Sequence, residues 1–392
     1  MVRINRRQVL LAGLATGVAT NVTTDYLRTQ AARDRQAKLE TLADAQLNSE
    51  DLLKASFASD LKTINEGREI RAALKLQPPK INYDRGMSKL IIQCSKLATQ
   101  QYLKGNLEKN YDGSLESLPA YSDKLKVYSL FSTFKGKEDV VEETVAVRVP
   151  VDEISSTTSY DQLKQKTDIA KNNVIKTVQE FVKRKRQVPV YLGFTLLAKT
   201  HSIIVFRGTQ KTVEWIHDFT AFQDDYPISN SNQTYGKVHR GFATFYRNNL
   251  QSLVREVIKR LNPFLPCYIC GHSLGAALAT LAAIDIALNF PQHKPNLRLY
   301  TYASPRVGDP VFAQTHSQLI PNSYRIVNLA DTIPLVPPTK IGGVYVHVGQ
   351  EWSFLSQNGD LLPNHIVETY RVAVDGEAEN QSSNNYTNLG VV

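Results

Sequence analysis

Hydrophobic positions along the chain fall into short alternating runs and longer stretches of helical spacing. Ser88 to Leu103 predicts a helix, with Leu90, Ile91, Cys94, Leu97 and Ala98 on one face. Val127 to Phe134 and Thr144 to Val149 alternate as strands, with a charged turn containing Gly136 between them. Leu163 to Arg186 has helical spacing through Val174, Ile175, Val178, Phe181 and Val182. Two strands follow, Val190 to Ala198 and Ser202 to Arg207, and then a helix from Arg240 to Leu261. Pro266 to Cys270 reads as an apolar strand and Leu274 to Leu288 as an Ala-rich helix. Beyond them come a strand at Leu297 to Tyr302, a short helix at Pro310 to Ser317 and a strand at Tyr324 to Asn328. Val344 to Val348 alternates as a later strand. Strands alternating with helices predict an α/β class built on a mostly parallel sheet, with functional loops at the strand ends. The chain has no internal repeat.

The flanks read differently. Residues 26–77 are polar and helical, with a thin stripe of Leu39, Leu42, Phe57, Leu61 and Ile64 that ends at Gln77-Pro78-Pro79. This predicts a helical extension ahead of a main domain over residues 78–374. Residues 375–392, rich in Asn, Ser and Glu, read as a disordered tail. Residues 1–25 have the layout of an export signal: Arg3, Arg6 and Arg7 precede the apolar Val9 to Ala15. Asn5-Arg6-Arg7-Gln8-Val9-Leu10 resembles a bacterial twin-arginine signal, departing from it at Asn5 and Val9. The expectation is an exported or membrane-associated protein, with an uncleaved anchor as the alternative.

Composition adds limits. The 392 residues carry 46 Lys+Arg against 37 Asp+Glu, a formal charge of +9. That balance, with the run Lys183-Arg184-Lys185-Arg186, allows contact with an anionic membrane surface. No zinc-finger spacing and no RNA-recognition segment occurs, so nucleic acid is not an expected partner. The three cysteines are Cys94, Cys267 and Cys270. Cys267 and Cys270 lie three apart in a strand and so point to opposite faces, which disfavours a metal or redox pair. No disulfide framework, metal or cofactor is expected. Oligomeric state is not legible.

Candidate chemistry centres on Gly271-His272-Ser273-Leu274-Gly275, a G-x-S-x-G turn between strand and helix. Such a turn exposes the serine above a helix N-terminus, where free N–H groups favour a developing oxyanion. A serine hydroxyl needs an imidazole to take its proton and a carboxylate to orient that imidazole. Asp331, in a loop after the Tyr324 to Asn328 strand, is the better acid; Asp309, followed by Pro310, suits a helix N-cap. Only His347 and His365 follow Asp331. His347 sits within an alternating strand, whereas His365 sits in a loop, a position that suits a base reaching across to another strand end. His272, next to the serine, suits a supporting role.

Together these residues resemble the fungal-type class 3 lipases of the α/β-hydrolase superfamily. The resemblance rests on Val205-Phe206-Arg207-Gly208-Thr209, Val238-His239-Arg240-Gly241-Phe242, the serine pentapeptide, Ala303-Ser304-Pro305-Arg306-Val307-Gly308-Asp309 and Val327 to Pro334, closed by His365. It spans about Tyr191 to Tyr370. It implies an α/β-hydrolase fold and a lipid-ester hydrolase that needs no cofactor. Ser273 is then the nucleophile, Asp331 the acid and His365 the base, with Thr209 and Leu274 at the oxyanion hole. It also implies a lid over residues 210–222, where Val213, Trp215, Ile216, Phe219 and Phe222 are too apolar for an ordinary exposed loop. Two alternatives stand beside it: a soluble carboxylesterase without interfacial preference, and a non-catalytic lipid-binding protein on a hydrolase scaffold.

Overall fold

The computed structural model describes residues 64–108, 110–145, 181–208, 222–227, 234–339, 342–356 and 361–376. In chain order the helices are α1 (64–73), α2 (Arg85–Leu107), α3 (Arg240–Asn249), α4 (Gln251–Ile258), α5 (Leu274–Asn289), α6 (Pro310–Leu319), α7 (Leu361–His365) and α8 (Val367–Gly376). The strands are β1 (Ser129–Val145), β2 (Phe181–Leu197), β3 (Ser202–Phe206), β4 (Gln223–Pro227), β5 (Thr234–His239), β6 (Cys267–His272), β7 (Leu297–Tyr302), β8 (Ser323–Asn328) and β9 (Gln350–Phe354). Gly136–Val190 forms one compact unit and the remainder of the chain another.

Seven strands make one sheet in the order β1-β2-β3-β6-β7-β8-β9. β2 runs antiparallel to β3; from β3 through β9 every neighbouring pair is parallel. Parallel strands need crossovers, and helices on the sheet's faces supply them. α2 packs on the face presented by Ile203, Val205, Tyr268, Cys270, Tyr300 and Tyr302, with α8 against it. α5 packs along β3, β6 and β7. Every residue of α5 from Leu274 to Ala287 is buried, as expected of a helix apolar on all sides. Its one acid, Asp285, is held by Arg255 at 2.6 Å and Tyr246 at 3.0 Å. The result is an α/β architecture with a mostly parallel central sheet packed by helices, the class that the pattern predicts.

Several elements depart from the pattern-based expectation. One unbroken strand, β1, runs through Gly136 where a turn is expected and continues to Val145; residues 146–149 of the second expected strand lie outside the described residues. The flanking Lys135 and Lys137 are exposed strand positions, not a reversal. The helix expected over Leu163 to Arg186 does not include its last residues, because β2 begins at Phe181 and takes a sheet position; residues 163–180 lie outside the described residues. The helix expected over Arg240 to Leu261 divides at Leu250, whose extended φ of −125° separates α3 from α4. Val344 to Val348 is not a strand: Tyr345 and Val346 are both buried, so alternation fails, and Val346 makes only an isolated bridge to Gly308. The strand is β9, beyond Gly349. The described part of the N-terminal extension is α1, which ends before Leu76. The export-like segment and the tail after Gly376 lie outside the described residues.

Candidate active site

The parallel strands bring their C-terminal ends to one edge, and β6 delivers Ser273 there. Ser273 has φ 60° and ψ −125°, a conformation costly for a residue with a Cβ. The turn is tight enough to exclude side chains at two positions. A Cβ on Gly271 would lie 2.2 Å from the Gly275 backbone, and one on Gly275 would lie 2.3 Å from Phe206 O. The Ser273 N–H donates to Tyr302 O at 2.9 Å, which pins the turn to β7. Ser273 is the N-cap of α5 and Leu274 its first residue, so the Leu274 N–H belongs to the first turn, where no intrahelical acceptor exists.

Three predicted residues converge. Ser273 Oγ lies 2.9 Å from His365 Nε2, and His365 Nδ1 donates to Asp331 Oδ2 at 2.8 Å. All three are buried. His365 ends the short helix α7, where the pattern suggested a loop. Asp331 follows β8 by a turn, its N–H bonded to Asn328 O at 2.9 Å. The rivals are committed elsewhere. The Asp309 carboxylate accepts from Phe312 N at 2.7 Å and caps α6. His347 Nε2 donates to Pro334 O at 2.8 Å. An ionised carboxylate, an imidazole and a hydroxyl in this order can pass the hydroxyl proton to the imidazole and stabilise the imidazolium.

The sequence reading missed the groups that hold Asp331. Tyr370 Oη donates to Asp331 Oδ2 at 2.7 Å and accepts from Asn328 N at 3.1 Å. Ile333 N donates to Asp331 Oδ1 at 2.9 Å. Burial first, then the Asp331 charge, pushes the Tyr370 phenol well above its ordinary range, so it stays a donor. Asn328 ties the acid turn to the base: its amide donates to Asn364 O at 3.0 Å and Ser356 O at 2.8 Å. His272 Nε2 donates to His365 O at 2.7 Å. Burial, then the neighbouring His365, keeps His272 neutral. That supporting role is the one its place beside the serine suggested. No local signal marks Tyr370 or Asn328, because their partners are remote in sequence.

At the end of β3, Arg207 holds the Gly208 carbonyl at 3.0 Å and stacks over Tyr102 at 3.7 Å. Thr209, Val213, Trp215, Ile216 and Phe219 lie outside the described residues. Phe222 is described and is 51% exposed, beside the Arg240 guanidinium at 5.4 Å. Among the described residues no group of three or more His, Cys, Asp or Glu is arranged to hold a metal ion.

The model of the family described as Lipase (class 3) matches residues 203–341. Phospholipase A1-IIgamma of Arabidopsis thaliana is 31% identical over 222 residues, covering 47% of this chain and 50% of its own. A lipase of Rhizomucor miehei is 38% identical over 154 residues, covering 38% of this chain and 40% of its own. The secreted mono- and diacylglycerol lipase A of Penicillium cyclopium is 33% identical over 190 residues, covering 47% of this chain and 57% of its own. The chain spans about half the length of the curated relatives it matches.

Proposed function

We propose that this chain, which belongs to the class 3 lipase family, hydrolyses carboxylic esters of lipids through an acyl-enzyme on Ser273. The observation that carries the reading is the continuous hydrogen-bonded line from Ser273 Oγ through His365 to Asp331, at 2.9 and 2.8 Å. His365 takes the Ser273 proton as Oγ attacks the ester carbonyl. It then gives that proton to the leaving alcohol, and afterwards deprotonates the water that releases the acid. Asp331 orients the ring and stabilises its charged form. The Leu274 N–H is one donor to the oxyanion and Thr209 supplies the other. One such donor is worth roughly 3–4 kcal/mol of barrier.

The substrate class in this reading is an acylglycerol, or a membrane glycerolipid such as a phospholipid or galactolipid. The Penicillium mono- and diacylglycerol lipase and the Arabidopsis phospholipase A1 support the acylglycerol and phospholipid members of that class. Residues 210–222 act as a lid on the acyl pocket, and contact with a membrane surface follows from it. The domain plan is a signal or anchor at 1–25, a helical extension at 26–77, the catalytic domain at 78–374 and a tail at 375–392. Export is supported by the secreted Penicillium relative. The relatives named above are fungal and plant, so a bacterial source and a twin-arginine route gain no support from them.

Hydrolysis of short- and long-chain acyl esters by wild type and Ser273→Ala tests the mechanism. The expected result is loss of turnover by several orders of magnitude with the fold intact by circular dichroism. Equal turnover by the two proteins would reject it.

A further inference from the structure

Behind the acid turn lies a cavity that the ester chemistry does not use. It is closed on one side by α1 and on the other by β8, β9 and the turn after Asn328. Arg68 and Arg71 enter from α1, Arg306 from the loop after β7 and Arg325 from β8. A Cβ on Gly67 would lie 3.3 Å from Arg306 Nη2, so helix and cavity floor are in close approach.

The charges do not balance. Glu351 pairs with both Arg68 and Arg325. Asp331 also borders the cavity, but its oxygens already serve His365, Tyr370 and Ile333 N. His347 is kept neutral by burial and then by the Arg325 and Arg306 charges. Among the described residues, the guanidiniums of Arg68, Arg71 and Arg325 therefore share one carboxylate outside the triad, that of Glu351. Arg325 is 5% exposed and Arg306 1%. Arg306 is occupied with carbonyls, donating to Pro337 O at 2.9 Å. Arg71 donates to Gly349 O at 2.5 Å through Nη2. The Nε atoms of Arg71 and Arg325 are buried without an acceptor among the described residues. Buried like charges repel strongly, and a buried guanidinium N–H left without an acceptor forfeits its hydration. Burial, then the Arg325 charge, weakens the hold of Arg71 on its proton.

We propose that this cavity binds one small inorganic oxyanion, phosphate or sulfate, between Arg71 and Arg325. A planar guanidinium offers paired N–H donors whose spacing matches two oxygens of such an ion, so one ligand satisfies both Nε groups and offsets the excess charge. A lipid phosphate has the same chemistry. The depth of Arg325 and Arg306 places the donors below the surface that a bilayer headgroup reaches. The site joins α1 to the acid turn, so an anion there fastens the extension to the catalytic core. It stands whether or not Ser273 is the nucleophile.

The test is equilibrium dialysis of the full chain with labelled inorganic phosphate at low ionic strength. Unlabelled sulfate and phosphatidylglycerol vesicles are the competitors, with thermal melts run at constant ionic strength. The expected result is saturable binding of one phosphate per chain, displaced by sulfate and not by vesicles, with a melting midpoint that rises along the same isotherm. Arg71→Met keeps the aliphatic stem; it should weaken binding about tenfold or more and remove the anion dependence of the melt. Arg71→Lys should recover part of both. No saturable binding by wild type at about 10 mM phosphate would overturn the proposal. So would undiminished binding by Arg71→Met, or displacement by the vesicles. If Arg71→Met fails to fold, the wild-type isotherm and its competitors still decide.

Discussion

Tyr370→Phe removes one oxygen and touches both the fold and the chemistry. The lost group donates to Asp331 Oδ2 at 2.7 Å and accepts from Asn328 N at 3.1 Å. A hydrogen bond to an ionised carboxylate contributes about 1.5–3 kcal/mol, and stranding a buried N–H costs about 1–3 kcal/mol. Both groups are inaccessible to water, with Tyr370 and Asn328 each 0% exposed. Solvent therefore does not replace the missing partner, and a loss near 3 kcal/mol is expected. With an m-value of roughly 3 kcal/mol/M, the urea midpoint should fall by about 1 M. The catalytic effect should be smaller than that of removing the acid. Asp331 keeps Ile333 N on Oδ1 and His365 on Oδ2, so the imidazole stays oriented. The kcat should drop about tenfold, against roughly 10⁴ for Asp331→Asn. Urea titration and the rate of ester hydrolysis measure the two effects. An unchanged midpoint would refute the energetic reasoning. A kcat loss as deep as that of Asp331→Asn would refute the division of labour between Tyr370 and the acid.

Gly275→Ala would place a methyl group 2.3 Å from Phe206 O, where backbone faces backbone, so a cost of about 3 kcal/mol and a midpoint lower by several degrees are expected in a thermal melt. His239 caps α3 by accepting from Gly241 N and Phe242 N, and burial lowers its pKa to about 4. The unfolded chain takes up this proton near pH 6.5 and the folded chain does not, so up to about 3 kcal/mol is present above that pH and is lost as pH falls toward 4. His239→Asn keeps an N-cap acceptor and should flatten that part of the stability profile in urea titrations at pH 7, 5.5 and 4.5. Glu351 acts in a lower window. Burial alone would raise its carboxyl, but Arg325 and Arg68 bring it down to about 2. Its contribution is complete above about pH 4.5 and is lost as pH falls toward 2, which Glu351→Gln should remove from the acid unfolding curve.

The nucleophile turn was readable because its causes are local. Glycines at 271 and 275, an apolar strand and an Ala-rich helix all lie within one short stretch. Asp331 was legible from its place after a strand, and chain order left two histidines, of which the loop-like context of residues 361–364 favoured His365, although that stretch is a short helix. Tyr370, Asn328 and the arginine cavity could not be read in the same way. Each is defined by a partner brought close only by sheet order. Alternation also misled twice for tertiary reasons. Charged residues around Gly136 resembled a turn but continue β1, and Val344 to Val348 resembled a strand but packs consecutive side chains inward. Phe222 is half exposed, while its companions in the expected cover lie outside the described residues.

The burial of α5 on all sides sets an order of failure under stress. Ser273 is attached to a helix buried on all sides, whereas His365 ends the five-residue helix α7 and Asp331 sits in the turn after β8. Local opening occurs first where few buried contacts resist it. Warming should therefore separate the base from the serine well before α5 loses its amide protection. A preparation inactivated by moderate heat would still hold its nucleophile elbow intact and would regain activity on cooling. Irreversible loss should begin only when exchange at residues 274–287 becomes fast.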